Sequence, residues 1–158
     1  VAGLIAPTLD CPWRDREICG EVKDENCWAM GGVSGASGLF SSAIDVHLLC
    51  RELIAGYHGQ SPMFKKDTVS EFWRPSPDFP DGWRLGWGSP ETTFGLSDPG
   101  TTVAVSGETG SSIWIDPERA LHVIFLSNAS YPSKLTKKFN SFVPKLYSSC
   151  WKALQVEQ

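Results

Sequence analysis

Cysteine and glycine spacing supply the first candidates for chemistry in this chain. Cys11, Cys19 and Cys27 are evenly spaced, and Cys50 and Cys150 stand within helical patterns. No C-x-x-C pair occurs and the spacings fit no zinc site, so no metal is expected. Buried free thiols are the expected state, with one disulfide among the first three cysteines open if the protein is exported. The odd count leaves at least one thiol unpaired within the chain. Gly31-Gly32-Val33-Ser34-Gly35-Ala36-Ser37-Gly38 carries four glycines in eight residues, which suits tight turns or a close backbone approach. It lacks both the Gly-Lys-Ser/Thr ending of a Walker loop and the GxGxxG spacing, so no phosphate site and no cofactor is expected. His47 falls off the apolar stripe of its helical pattern and is expected to be exposed. His122 points away from the side shared by Leu121, Val123 and Phe125 and reads as a strand-surface histidine. Trp73, Trp83 and Trp87 could form a stacking platform, but packing of loops against a core is the plainer reading. Asn128-Ala129-Ser130 is a formal glycosylation sequon, relevant only to a eukaryotic secreted protein.

These residues must be positioned by a fold that 158 residues can build as one domain, 1–158, with its own core. Hydrophobic residues make up 41% and charged residues 20%, a balance that argues against disorder. A net charge of −4 argues against nucleic-acid binding, which needs a basic face to displace counterions. Lys134, Lys137, Lys138 and Lys145 form only a local basic stretch, read as a solvated helix face and its approach. No apolar run approaches the ~20 residues of a membrane span. The start Val1-Ala2-Gly3, with no initiator Met and no basic leader, is what a fragment or a processed product would show.

Residues 1–30, interrupted by Pro7 and Pro12, are expected to form an extended, loop-rich lead-in. Ser41 or Ser42 can cap a helix whose stripe is Ala43, Val46, Leu49, Cys50, Leu53 and Ile54, with Gly56 as its stop. A short helix is expected from Asp67 or Thr68 through Trp73, and Trp83–Trp87 alternates as a half-buried strand would. Three β-rich runs follow: 102–105, 111–115 and 121–126, separated by Gly107–Gly110 and Asp116–Arg119. They predict an antiparallel meander. A closing amphipathic helix would have Pro144 in its first turn and bury Leu146, Tyr147, Cys150, Trp151 and Leu154. The fold class expected is α+β, with about three antiparallel strands, the last helix packed on them and a loop-rich helical N-terminal part.

Several segments together carry a resemblance. Ile5-Ala6-Pro7-Thr8, Trp13-Arg14 and Gly20-Glu21-Val22-Lys23-Asp24-Glu25-Asn26 resemble a stretch that commonly reads IAPT…WR…GxVHDEN. Gly31–Ser42 resembles GGVAGHAGLFST, Leu85-Gly86-Trp87 matches GLGW, and Val105–Pro117 resembles HTGFTGTSLWIDP. In this order they are similar to the β-lactamase-related serine hydrolases, which include class C β-lactamases, penicillin-binding proteins, D-Ala-D-Ala carboxypeptidases and esterases. The resemblance covers about residues 5 to 154 and implies the C-terminal portion of a β-lactamase/transpeptidase-like fold.

That family's site combines a Ser-x-x-Lys nucleophile motif, a Tyr-x-Asn motif and a Lys/His-Thr/Ser-Gly strand. The resemblance implies that the first two precede the stretch similar to the start of this chain. The one literal Ser-x-x-Lys here, Ser149-Cys150-Trp151-Lys152, lies in the closing helix, and none of Tyr57, Tyr131 or Tyr147 is followed by x-Asn. The strand motif is present but altered. Ser106 could bind a substrate carboxylate or carbonyl, Gly107 would let substrate lie beside the strand, and the N–H of Glu108 would be an oxyanion donor. Val105 replaces the usual Lys or His and can neither hold an anion nor relay a proton. Lys23 likewise stands where His is usual, and Ala36-Ser37 where His-Ala is. The expectation is a segment of a serine acyl hydrolase that is inactive alone, completed by an N-terminal half. The alternative is a non-catalytic binding or interaction module, self-associating through an exposed sheet edge. The resemblance also implies a secreted or cell-envelope location.

Overall fold

The computed structural model describes residues 2–79, 82–90, 93, 100–132 and 137–155. Lys134 lies outside them, and so do the side chains of Lys137, Lys138 and Leu154. The lead-in is more ordered than its sequence suggests. It contains a hairpin of β1 (Leu9–Cys11) and β2 (Arg16–Ile18) and a short helix α1 (Glu25–Ala29), capped where Asp24 accepts from the Cys27 N–H at 2.7 Å. Strands of three residues are too short for a period to show, so long-range bonds decide them. Asp10 N–H donates to Pro132 O at 3.0 Å, Ser130 Oγ to Thr8 O at 2.8 Å and Tyr131 OH to Glu17 at 2.6 Å.

Helix α2 (Ala43–Tyr57) starts at Ser42, whose Oγ accepts from the Asp45 N–H at 3.2 Å. It buries Val46, Cys50 and Ile54 and half-buries Leu53, while Ala43 and Leu49 of the expected stripe are exposed. Gly56 is not the stop. It lies within the helix, and a Cβ there would come 2.9 Å from both Phe64 Cβ and Val69 Cγ2. The missing side chain admits α3 (Lys66–Trp73), and Gly59, at φ +74°, follows the His58 cap.

The meander forms as its turns predict: β3 (Val103–Ser106), β4 (Ser112–Asp116) and β5 (Leu121–Phe125) pair antiparallel in the order β3-β4-β5. Val103 faces Ile115, Ala104 faces Trp114, and Val105 faces Ile113. Alternation then sorts the side chains. Val103 and Ile115 join Val46, Cys50, Ile54, Val69 and Trp73 in a core beneath α2 and α3. Ala104 and Trp114 pack with Val143 and Tyr147 of α4 (Lys137–Gln155) on the opposite face. The α+β class holds, and the last helix covers the sheet as expected. The sheet is clothed on both faces, which the linear order of elements did not reveal.

Two further expectations are corrected. Trp83–Trp87 is no strand: Gly86, at φ +76°, turns the chain, and Arg84 is buried with donors to Trp73 O, Gly82 O and Gly100 O. The tryptophan cluster is packing, with Trp73 and Trp87 edge-on at 6.0 Å, and exposed Trp83 is not part of it. Pro144 sits inside α4, not in its first turn. Having no N–H, it cannot bond the carbonyl four residues back, that of Asn140. No helix among the described residues is long and apolar enough to cross a membrane.

Candidate functional site

The altered strand motif ends β3, one of the two edge strands of the sheet. Ala104 exchanges both backbone bonds, at 2.8 Å each, with Gly88 on the outer side of β3. In an antiparallel ladder the residue two further on projects its N–H and C=O from that same side, so Ser106 presents its backbone at the outer edge. Its side chain is exposed and stands opposite Ser112. Gly107 N–H donates to Ser111 O at 2.8 Å, and Gly110 N–H returns to Gly107 O at 3.0 Å, which closes a tight turn carrying Glu108 outward. Gly110 has φ +89°, and a Cβ there would lie 2.5 Å from the Phe139 ring, so α4 rests directly on this turn.

Ser106, Gly107, Gly110, Ser112, Phe139 and Asn140 line a cavity of about 210 Å³ between the sheet and α4. Beneath it Ser112 Oγ and Tyr147 OH share a hydrogen bond at 2.9 Å. Burial pushes the Tyr147 phenol up to about 12, against a lesser lowering by its bond to Ser112. Neutral hydroxyls, an amide and backbone N–H groups can hold a carboxylate or carbonyl oxygen here, but none is a proton acceptor of useful strength at neutral pH. The volume falls below the roughly 300–1,000 Å³ of complete small-molecule sites.

Val105 belongs to the other side of the sheet. It pairs with Ile113, which packs against the core under α2 and α3. Its apolar character therefore fits the face it occupies. A cation from the lead-in is set against the motif: Lys23 Nζ lies 3.2 Å from Glu108 Oε2. Lys23 is held by its backbone, since its carbonyl accepts from Arg14 Nη2 at 3.2 Å and that of Val22 from Arg14 Nη1 at 2.8 Å. The Arg14 guanidinium, only 3% exposed, stacks on Trp13 and Trp28 at 4.6 and 5.0 Å and pairs with Glu21. Arg16 also bonds Glu21 and, with Arg14, lowers its carboxyl below the usual range.

The remaining candidates do not converge on this edge. Ser149 is exposed on α4 and donates to Lys145 O at 2.9 Å, as a helical serine commonly does. His122 is not a free surface histidine. It turns toward α2, where its Nε2 lies 2.8 Å from Nδ1 of exposed His47, and its own Nδ1 is buried without a partner. Burial, the neighbouring His47 and then Arg51 hold the His122 imidazole below its usual value. The sequon residues are engaged in the fold: Ser130 is buried, and Asn128 Nδ2 donates to Pro7 O at 3.1 Å. All five cysteines are free thiols, and burial pushes Cys50 up to about 11. Among the described residues no group of three or more His, Cys, Asp and Glu side chains is placed to hold a metal. Sequence reasoning missed Ser112, Tyr147 and Asn140. The register of the hairpin would have given Ser112 as the partner of Ser106, but nothing local points to the two residues on α4.

A family model described as Beta-lactamase matches residues 5–141. A protein of Salmonella agona named "Putative D-alanyl-D-alanine carboxypeptidase" is 35% identical over 133 residues, which is 80% of this chain and 31% of that one. A protein of the same name from Salmonella typhi matches with the same identity and coverage. The chain thus spans about a third of the length of the curated relatives it matches. No solved structure matches it. The motif order, the three-stranded meander beneath its closing helix and the family match over 5–141 agree, and the chain belongs to the Beta-lactamase family of serine hydrolases.

Proposed function

We propose that these residues form the C-terminal, substrate-strand part of a serine acyl hydrolase acting on an amide, β-lactam or ester, and that they do no acyl chemistry alone. The observation that carries this reading is the outer edge of β3. Ser106 turns its backbone to the outer edge and its hydroxyl to solvent, where an extended substrate could lie, and the N–H of Glu108 would serve a developing oxyanion. What such a site lacks is a nucleophile with a base beside it. Ser149-Cys150-Trp151-Lys152 is the only Ser-x-x-Lys in the sequence, and no Tyr-x-Asn occurs. The matched stretch is 31% of the Salmonella agona relative, which leaves ample chain for an N-terminal half bearing both groups. Val105 favours a second reading, a binding module that keeps the scaffold without the chemistry, self-associating through the β5 edge.

Intact mass after exposure to a fluorophosphonate, and separately to a penicillin, tests the first reading. This chain is expected to stay unmodified, whereas a longer chain carrying the upstream half is expected to gain one adduct on a serine outside these residues. A stoichiometric adduct on Ser149 or Ser106 would overturn the assignment. An unmodified longer chain would favour the binding module.

A further inference from the structure

His47 of α2 and His122 of β5 meet on the face of the sheet opposite the cavity, since His122 stands beside Ile115 of the core beneath α2. His47 Nδ1 lies 2.8 Å from His122 Nε2, and the ring centroids are 4.9 Å apart. The other nitrogen of His122, Nδ1, is buried without a partner, so Nε2 is the atom its ring offers. Burial first, then His47 and Arg51, hold this imidazole below its usual value, which keeps it neutral at neutral pH. His47 is exposed on α2, and its ring can pivot. With metal–nitrogen bonds of about 2.0–2.1 Å, nitrogens 2.8 Å apart subtend about 85–90° at a shared ion. A tetrahedral ion would hold them about 3.3–3.4 Å apart. The right angle is that of neighbouring positions in a square-planar or tetragonal complex, which nickel(II) and copper(II) adopt.

We propose that His47 and His122 form a two-nitrogen binding site for an ion of the nickel(II) or copper(II) class, with water in its remaining positions. When the ion binds, the hydrogen shared between the two rings passes, by exchange with water, to the other nitrogen of exposed His47. Each neutral ring then gives the ion one lone pair. Arg51, one turn along α2 from His47, sets a positive charge beside the pair. Coordination rather than charge attraction must therefore hold the ion, which disfavours the oxygen-seeking calcium and magnesium. His58, the third histidine of the chain, is engaged 2.9 Å from Pro117 O and takes no part. Because α2 and the edge strand β5 each supply one ligand, the ion binds only the folded arrangement and stabilises the packing of the helix on that strand. The site is independent of the acyl-hydrolase reading, whose residues lie across the sheet.

Equilibrium dialysis against Ni2+ alone tests this in the full chain that carries these residues. Ni2+ is the probe because Cu2+ would oxidise exposed thiols such as Cys19. His47→Asn, His122→Asn and the double variant are compared with the unsubstituted protein, and thermal melts without metal confirm that each is folded. His47 is exposed, so its variant carries the test even where His122→Asn is unstable. Either single variant is expected to lose one bound Ni2+ per chain, and the double variant to lose that same one, because a chelate fails when either arm is removed. His58→Asn is expected to lose none. Ni2+ is also expected to raise the melting temperature of the unsubstituted protein more than that of either single variant. An unchanged Ni2+ stoichiometry in the single variants, or separate losses that add in the double variant, overturns the proposal and leaves adventitious surface binding only.

Discussion

The two faces of the β3-β4-β5 sheet are built to different ends. Under α2 and α3 the packing is apolar and close. Trp73 stacks edge-on with Trp87 and lies 5.7 Å from Tyr57, and Gly56 brings the helices within Cβ contact. Under α4 Trp114 of the sheet packs with Tyr147 of the helix, but near the end of β3 the interface opens into a cavity lined by Ser106, Ser112 and Asn140. Residues adjacent in sequence, Val105 and Ser106, thus take opposite faces, half-buried Val105 on the side of α2 and α3 and exposed Ser106 at the wet edge. The difference teaches that an apolar residue at the first motif position is consistent with the packing on that face, and that any compensating charge must come from outside the strand.

The contrast can be broken most forcefully on the dry face. Trp73→Ala is expected to lower the stability of unfolding by about 3–5 kcal/mol, measured by urea denaturation, because neither helix can collapse into the space. A loss below 1 kcal/mol would mean that this face is loosely packed. On the α4 face Ser112→Ala leaves the buried Tyr147 hydroxyl without that partner and is expected to cost about 1–3 kcal/mol. Adding Tyr147→Phe should recover part of it, and additive losses would show that the two hydroxyls do not act as a pair.

A smaller effect is expected at the α2–β5 contact. The folded state holds His122 below its usual 6.5, so the unfolded chain binds more protons between the two values. Stability from this group is therefore full above about pH 6.5 and is lost as pH falls through the lower folded value. Protonating both rings would also remove the acceptor that their 2.8 Å bond requires. His122→Asn should flatten the fall in melting temperature between about pH 7 and 5, and an unchanged slope would assign that fall to other groups. The smallest effect belongs to Ser106→Ala, expected within about 0.5 kcal/mol of unsubstituted stability because the side chain is exposed. A larger loss would mark Ser106 as part of the core rather than of the edge.

The sequence by itself determined the meander and its turns, because β-rich runs broken by Gly107–Gly110 and Asp116–Arg119 leave a chain few other ways to pair. It also determined the start of α2, through a cap satisfied by a neighbour three residues away. It carried the family as well, since ordered motifs survive in the linear chain. What tertiary structure decided is everything that depends on partners far along the chain. The hairpin of the lead-in is tied to residues 128–132, Gly56 serves a helix contact rather than a stop, and Pro144 sits mid-helix beside a cavity. The histidines His47 and His122, 75 residues apart, meet only because α2 crosses β5, and Lys23 meets Glu108 only because the lead-in folds back on the turn after β3. Local periodicity reports which face a residue takes, whereas the identity of the group on the other side is a property of packing alone.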